Sequence, residues 1–205
     1  MAKTLEFIFD FGSPNAYLAW HGVQAVLERT GAELDITPCL LGGIFKLTGN
    51  QAPWLTYANV KGKIDYERLE MTRFIKLHGL TKFKMNPHFP VNTLILMRGA
   101  IAAKAIGALE TYVKAGLTAM WEDGENMSDP EVFSKVMTKA GLDGAALLTA
   151  TQDPAIKSKL AENTDGAVAR GVFGIPTFFI GDEMFFGKDR LDQVEAALGL
   201  SLIHI

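Results

Sequence analysis

The first apolar run, Phe7-Ile8-Phe9-Asp10-Phe11, stops at Gly12-Ser13-Pro14 and gives way to a helical pattern from roughly Pro14 to Glu28. Such a run, closed by a Gly-Ser-Pro turn, predicts a strand that feeds a helix. Ser13 falls at the N-cap and Pro14 at the first helical position, where a missing N–H loses no hydrogen bond. Thr30-Gly31 ends the helix, and Glu33 to Leu40 alternates polar and apolar residues at period two, which predicts a second strand. Strand, helix and strand make a βαβ unit. The two strands are expected to be parallel neighbours, with Ser13 at the carboxyl end of the first, where open α/β sheets place ligands.

Leu41 to Pro53 is Gly-rich and predicts a mobile loop with one turn of helix. From Tyr57 to about Ala169 the strand signal disappears, and helical windows cover Asp65–Leu77, Asn92–Ile106, Leu109–Trp121, Pro130–Ala140, Gly144–Thr151 and Asp153–Ala169. Ser128-Asp129-Pro130-Glu131 supplies a cap and a first-turn proline, while Gly79, Gly107 and Gly141 mark stops. The chain then returns to strand signals over Gly171–Ile180 and Glu183–Phe186, joined by a Gly181-Asp182 hairpin turn. Gly187-Lys188-Asp189-Arg190 precedes a last helix, Leu191–Leu198. The order βαβ, helices, ββα predicts an α/β domain over residues 1–45 and 171–205. An all-α subdomain with its connecting loop, residues 46–170, is inserted into it.

Composition narrows the function classes. A chain of 205 residues with net charge −3 and mixed signs fits one large domain and has no basic block that would track phosphates, so no nucleic-acid partner is expected. No membrane segment is expected either. Met1 to Glu6 runs directly into the first strand without an apolar leader, which predicts a cytoplasmic protein. The single cysteine, Cys39, cannot form an internal disulfide and reads as a small buried hydrophobe. His21, His78, His88 and His204 show no ligand spacing, so no metal is expected.

The chemistry centres on Ser13. A helix N-terminus presents free N–H groups and the positive end of the helix dipole, a setting that stabilises anions, thiolates included. Taken alone, Ser13 also reads as an ordinary N-cap worth about 1 kcal/mol. Gly174-Ile175-Pro176 alone reads as a turn at a strand start, and Asp189 as an N-cap.

The pattern Phe9-Asp10-Phe11-Gly12-Ser13-Pro14 with Tyr17-Leu18-Ala19 resembles the 2-hydroxychromene-2-carboxylate isomerases and the kappa-class glutathione transferases. Both are thioredoxin-like relatives of the disulfide oxidoreductase DsbA, and the βαβ, helical insertion and ββα order matches the thioredoxin plan. In that superfamily the turn usually carries Cys-x-x-Cys. Here Ser13-Pro14-Asn15-Ala16 has no thiol, which excludes two-cysteine exchange at that motif.

The resemblance implies glutathione as cofactor, with Ser13 as the catalytic residue that hydrogen-bonds its thiol. It implies a cis-proline at Pro176, with Ile175 offering its main-chain N–H and C=O to the extended tripeptide. Gly187-Lys188-Asp189-Arg190 resembles the loop for the γ-glutamyl end, with Asp189 toward the amino group; Lys188 stands where the family often has serine. Asn50 and Lys61 resemble residues that reach glutathione or the substrate carboxylate. The implied reaction interconverts 2-hydroxychromene-2-carboxylate and trans-o-hydroxybenzylidenepyruvate in aromatic-hydrocarbon catabolism. Alternatives are a kappa-like transferase and a non-catalytic glutathione- or peptide-binding protein. Phe11, Trp54 and Phe89 are candidates to wall a pocket for a small aromatic carboxylate. Family likeness also implies a homodimer, and the apolar tail Leu202–Ile205 would dock on the body or on a second subunit.

Overall fold

The strand β1 (Thr4–Phe9) lies inside the sheet because four of its six side chains are large and apolar: Leu5, Phe7, Ile8 and Phe9 have no exposed surface. Burying each of them contributes about 1.5–3 kcal/mol. β2 (Glu33–Pro38) pairs with β1 in parallel, Thr4 opposite Glu33 and Phe9 opposite Pro38. β3 (Thr177–Ile180) runs antiparallel along the other edge, with Phe7 opposite Phe178. β4 (Glu183–Phe186) completes the order β2-β1-β3-β4. The computed structural model describes residues 3–200. The tail residues Leu202–Ile205 and His204 lie outside the described residues.

Helix α1 (Pro14–Thr30) joins β1 to β2, and Gly31 stops it in the left-handed region at φ 67°, donating its N–H to Leu27 O at 2.8 Å. After β2 come α2 (Leu41–Thr48), α3 (Pro53–Thr56), α4 (Lys63–Leu77), α5 (Leu94–Ala105), α6 (Leu109–Thr118), α7 (Pro130–Lys139), α8 (Gly144–Ala150) and α9 (Pro154–Ala169). The last helix, α10 (Leu191–Leu200), follows a 3-10 turn at Lys188–Arg190. βαβ and ββα around a helical insertion is the thioredoxin plan expected from the sequence.

Three expectations about secondary structure need correction. Leu41 to Pro53 is mostly helix, not a loop with one turn. The amide of Leu41 is held by the Asp10 carboxylate at 2.7 Å, and Gly43 lets α2 lie close on α9, since a Cβ there would stand 3.1 Å from Thr164 Cγ2. The strand expected from Gly171 begins only at Thr177. Pro176 has no N–H for a ladder, and Thr177 Oγ1 bonds back to Gly174 O at 2.8 Å. Finally, the helix from Leu109 widens after Thr118 into a π-helical turn, Ala119–Asp123.

The core runs without a break from the sheet into the inserted helices. Phe178, Phe7, Phe9, Phe11, Tyr112 and Phe133 form a chain of ring contacts with centroids 4.6 to 6.1 Å apart. Phe11 therefore belongs to the core and walls no pocket: it is fully buried against α6. Gly116 permits this approach, because a Cβ at that position would lie 2.5 Å from Phe11 Cε1.

Candidate active site

The β1–α1 turn puts Ser13 at the N-cap with φ −96° and ψ 117°. Its Oγ accepts from the Ala16 amide at 3.3 Å, and its carbonyl accepts from Ala16 at 3.0 Å and Tyr17 at 3.4 Å. The Asn15 amide donates to nothing among the described residues. One main-chain donor at the positive end of α1, two residues from Ser13, is therefore without an acceptor among the described residues, the kind of donor an anion requires.

The other half of the site comes from far along the chain. Ser13 Oγ donates to Ile175 O at 2.9 Å, and both residues are about 95 % buried. The Ile175–Pro176 bond is cis. The Ile175 N–H has no partner among the described residues, and its carbonyl accepts only from Ser13. Pro176 O accepts from Gly187 N at 2.9 Å, which ties this turn to the 3-10 turn carrying Lys188 and Asp189. Lys188 is buried; its Nζ lies 2.5 Å from Asp189 Oδ1 and 5.3 Å from the centre of the Phe74 ring. Ser13, Ile175, Pro176, Lys188 and Asp189 are thus one connected group.

Asn50 and Lys61 stand apart from it. Asn50 is exposed just after Gly49 closes α2, its amide donating to Thr48 Oγ1 at 3.4 Å, and Lys61 is exposed in the turn before α4. No hydrogen bond or ion pair joins either side chain to the Ser13 group among the described residues. Trp54 and Phe89 meet edge to face with centroids 5.0 Å apart, and Phe89 continues to Trp121 at 6.0 Å. Cys39 is buried, and burial, then the nearby Asp10 carboxylate, pushes its thiol up to about 12. Among the described residues no group of three or more His, Cys, Asp or Glu side chains could hold a metal ion. No helix there is long and apolar enough to cross a membrane.

Asp10 is the residue near the site to which no role was assigned from sequence. Its fully buried carboxylate accepts from Gly12 N at 2.8 Å and Leu41 N at 2.7 Å and is hydrogen-bonded by Thr93. One side chain so joins the Ser13 turn, the start of α2 and the start of α5. Burial raises its pKa to about 6, against the lowering effect of these three donors. An acid inside an otherwise apolar run was the available signal, since carboxylates are almost never fully buried without partners. Two more contacts flank Ser13: Trp121 Nε1 donates to Phe11 O at 3.0 Å, and Tyr17 Oη donates to Glu122 Oε1 at 3.0 Å. Both acceptor-donor pairs involve the π-helical turn, which locks the inserted helices to either side of Ser13.

Chemically, the site offers a main-chain donor and acceptor for an extended peptide, and beside them a hydroxyl and a helix pole suited to an anion. The model of the DSBA-like thioredoxin domain matches residues 4–199. The 2-hydroxychromene-2-carboxylate isomerase of Sphingobium xenophagum is 30% identical over 200 residues, covering 97% of this chain and 99% of that one. Glutathione S-transferase kappa 1 of Rattus norvegicus is 28% identical over 210 residues, covering 96% and 91%. A solved structure of a 2-hydroxychromene-2-carboxylate isomerase superposes with a TM-score of 0.83 at 28% identity, covering 97% of this chain and 96% of that one. With a turn that carries serine where the superfamily usually keeps cysteine, the chain belongs to the DSBA-like thioredoxin-domain family, within its group of 2-hydroxychromene-2-carboxylate isomerases and kappa-class relatives.

Proposed function

We propose that this protein is a glutathione-dependent isomerase that interconverts 2-hydroxychromene-2-carboxylate and trans-o-hydroxybenzylidenepyruvate, working as a cytoplasmic homodimer. The observation that carries the reading is the pairing of Ser13 Oγ, at a helix pole, with Ile175 O at 2.9 Å, beside the Ile175 N–H, which has no partner among the described residues. That arrangement fits the cysteinyl residue of an extended tripeptide, with its main chain on Ile175 and its sulfur toward Ser13. Glutathione held there would supply a nucleophilic thiolate, the group needed for reversible addition to the conjugated double bond and so for rotation about it.

The chain's own residues make that sulfur available. A free thiol with pKa about 8.5 is only a few per cent ionised at pH 7, and a lowering of about two units makes it mostly thiolate. Ser13 donates a hydrogen bond to the anion, and the Asn15 amide adds the field of the helix end. Asp189 receives the γ-glutamyl amino group, held in place by the Lys188 ammonium. Asn50 and Lys61 serve the carboxylates of glutathione or substrate, and Trp54 with Phe89 walls the aromatic ring.

The test is isomerisation of 2-hydroxychromene-2-carboxylate with and without glutathione. Isomer should form only with glutathione, and the glutathione should be recovered unchanged. Equal rates in its absence refute the reading. Similarity to the rat kappa enzyme favours a second reading, transfer of glutathione to an electrophile. Stoichiometric conjugate with no isomer would support that one instead.

A further inference from the structure

Helix α4 is held to the rest of the molecule by its C-terminal half and along one side. Of its 15 residues only Phe74 is buried, with Met71 and Ile75 partly covered beside it. Phe74 rests on α1 at Gly22, where a Cβ would stand 3.0 Å from Phe74 Cζ, and His78 stacks on its ring with centroids 4.1 Å apart. The N-terminal half buries no residue, and Gly62 caps it without a side-chain hydrogen bond. A helix of this length is marginal in water unless an apolar face is covered.

The outer side of α4 carries such a face. Tyr66, Leu69, Arg73 and Leu77 follow at three- and four-residue spacing, which stacks them on the side opposite Met71 and Ile75. Tyr66 is 53% exposed, Leu69 45% and Leu77 81%. A lone exposed apolar residue is ordinary, but three on one stripe of a helix that buries a single side chain mark a contact face. The ion pairs Lys63–Glu67, Arg68–Asp65 and Arg73–Glu70 run along the helix and join it to nothing else. Charge is also divided along the stripe. Asp65 flanks its N-terminal end, and Arg73 with Lys76 its C-terminal end; Lys76 has no ion pair among the described residues. The surface that matches this order is the same helix turned end for end.

We propose that a second copy of this chain docks on this stripe, the two α4 helices running antiparallel about a two-fold axis at the level of Leu69 and Arg73. The inference rests on the homodimer proposed above and gives it a face. Tyr66 of each copy packs on Leu77 of the other, the Leu69 side chains meet near the axis, and Asp65 of each copy pairs with Lys76 of the other. One patch thus satisfies itself, as a two-fold interface requires, and the helix dipoles oppose each other. On its body side the same helix places Phe74 5.3 Å from the Lys188 ammonium that holds Asp189, so the docked copy braces the helix behind that part of the site.

The experiment is sedimentation velocity over a dilution series on wild type, Leu69→Glu, Asp65→Lys, Lys76→Glu and the double variant Asp65→Lys/Lys76→Glu. All three positions are exposed, where substitutions disturb the fold least, and circular dichroism checks that each variant is folded. Wild type should be a dimer. Leu69→Glu sets two carboxylates at the axis and should raise the dissociation constant about a hundredfold. Each single charge reversal should raise it about tenfold, and the double variant should return to within about threefold of wild type. Should Leu69→Glu fail to fold, the charge reversals decide alone.

A wild type that stays monomeric throughout overturns the proposal; if that monomer still isomerises with glutathione, the catalytic reading stands without the homodimer. A dimer that none of the variants weakens overturns the α4 face and leaves the homodimer standing. A dimer weakened by the single charge reversals and not restored in the double variant overturns the antiparallel pairing.

Discussion

Asp10→Asn tests whether one buried carboxylate holds the front of the site together. Asp10 is fully buried, and its pKa is raised to about 6 from an ordinary 3.8 because desolvation outweighs three hydrogen bonds. The native state thus keeps the proton to higher pH than the unfolded chain does. Its advantage is complete below the unfolded value near 4 and is lost as pH rises through about 6. That gap corresponds to roughly 3 kcal/mol in full, of which about 2.4 kcal/mol is lost between pH 4 and pH 7. Asparagine has the same shape but does not titrate, so this component should vanish from the variant. The assay is urea unfolding of both proteins from pH 4 to 7.5, read as the difference between them so that other groups cancel. Wild type should lose about 2.4 kcal/mol more than Asp10→Asn over that range. Parallel curves would refute the argument that Asp10 remains a costly buried acid fixed by Gly12, Leu41 and Thr93.

Three further outcomes follow from single contacts. Tyr17→Phe removes the donor to Glu122, a largely buried carboxylate, and should lower stability by about 2 kcal/mol in the same urea assay; an unchanged midpoint would mean the π-helical turn is not locked there. Gly116→Ala should destabilise by about 1–3 kcal/mol through overpacking against Phe11, overriding the helix-propensity gain of about 1 kcal/mol, and a net rise in stability would contradict the close approach. Cys39 should resist iodoacetamide at pH 8 in the folded protein and react on unfolding, since burial pushes its thiol up to about 12; fast labelling by mass spectrometry of the native protein would be inconsistent with this.

Local signals were strong wherever a residue type leaves few conformations open. Ser13-Pro14 begins a helix, Gly31 closes it at positive φ, and Asp129 caps α7 by accepting from Glu131 and Val132. The two halves of the site, Ser13 and Ile175-Pro176, were legible through the family pattern, although 162 positions separate them. What stayed hidden depends on partners distant in sequence. Gly42 and Gly43 lower helix propensity and argue for a loop, yet the bond from Leu41 N to Asp10 and the close packing of Gly43 on Thr164 outweigh that preference. Phe11 looked available for a pocket because the run it ends gives no hint that Gly116, about a hundred residues on, makes room for its ring. Asp10 was read as part of a strand for the same reason: its donors come from the starts of two helices that no short window contains.

The central claim, that Ser13 at this helix end ionises a thiol the protein does not itself possess, is tested most directly by titrating the ultraviolet thiolate absorbance of bound glutathione. With wild type the thiol should ionise about two pH units below free glutathione, and with Ser13→Ala it should return toward the free value. A thiol that ionises at the same pH on both proteins would contradict the account.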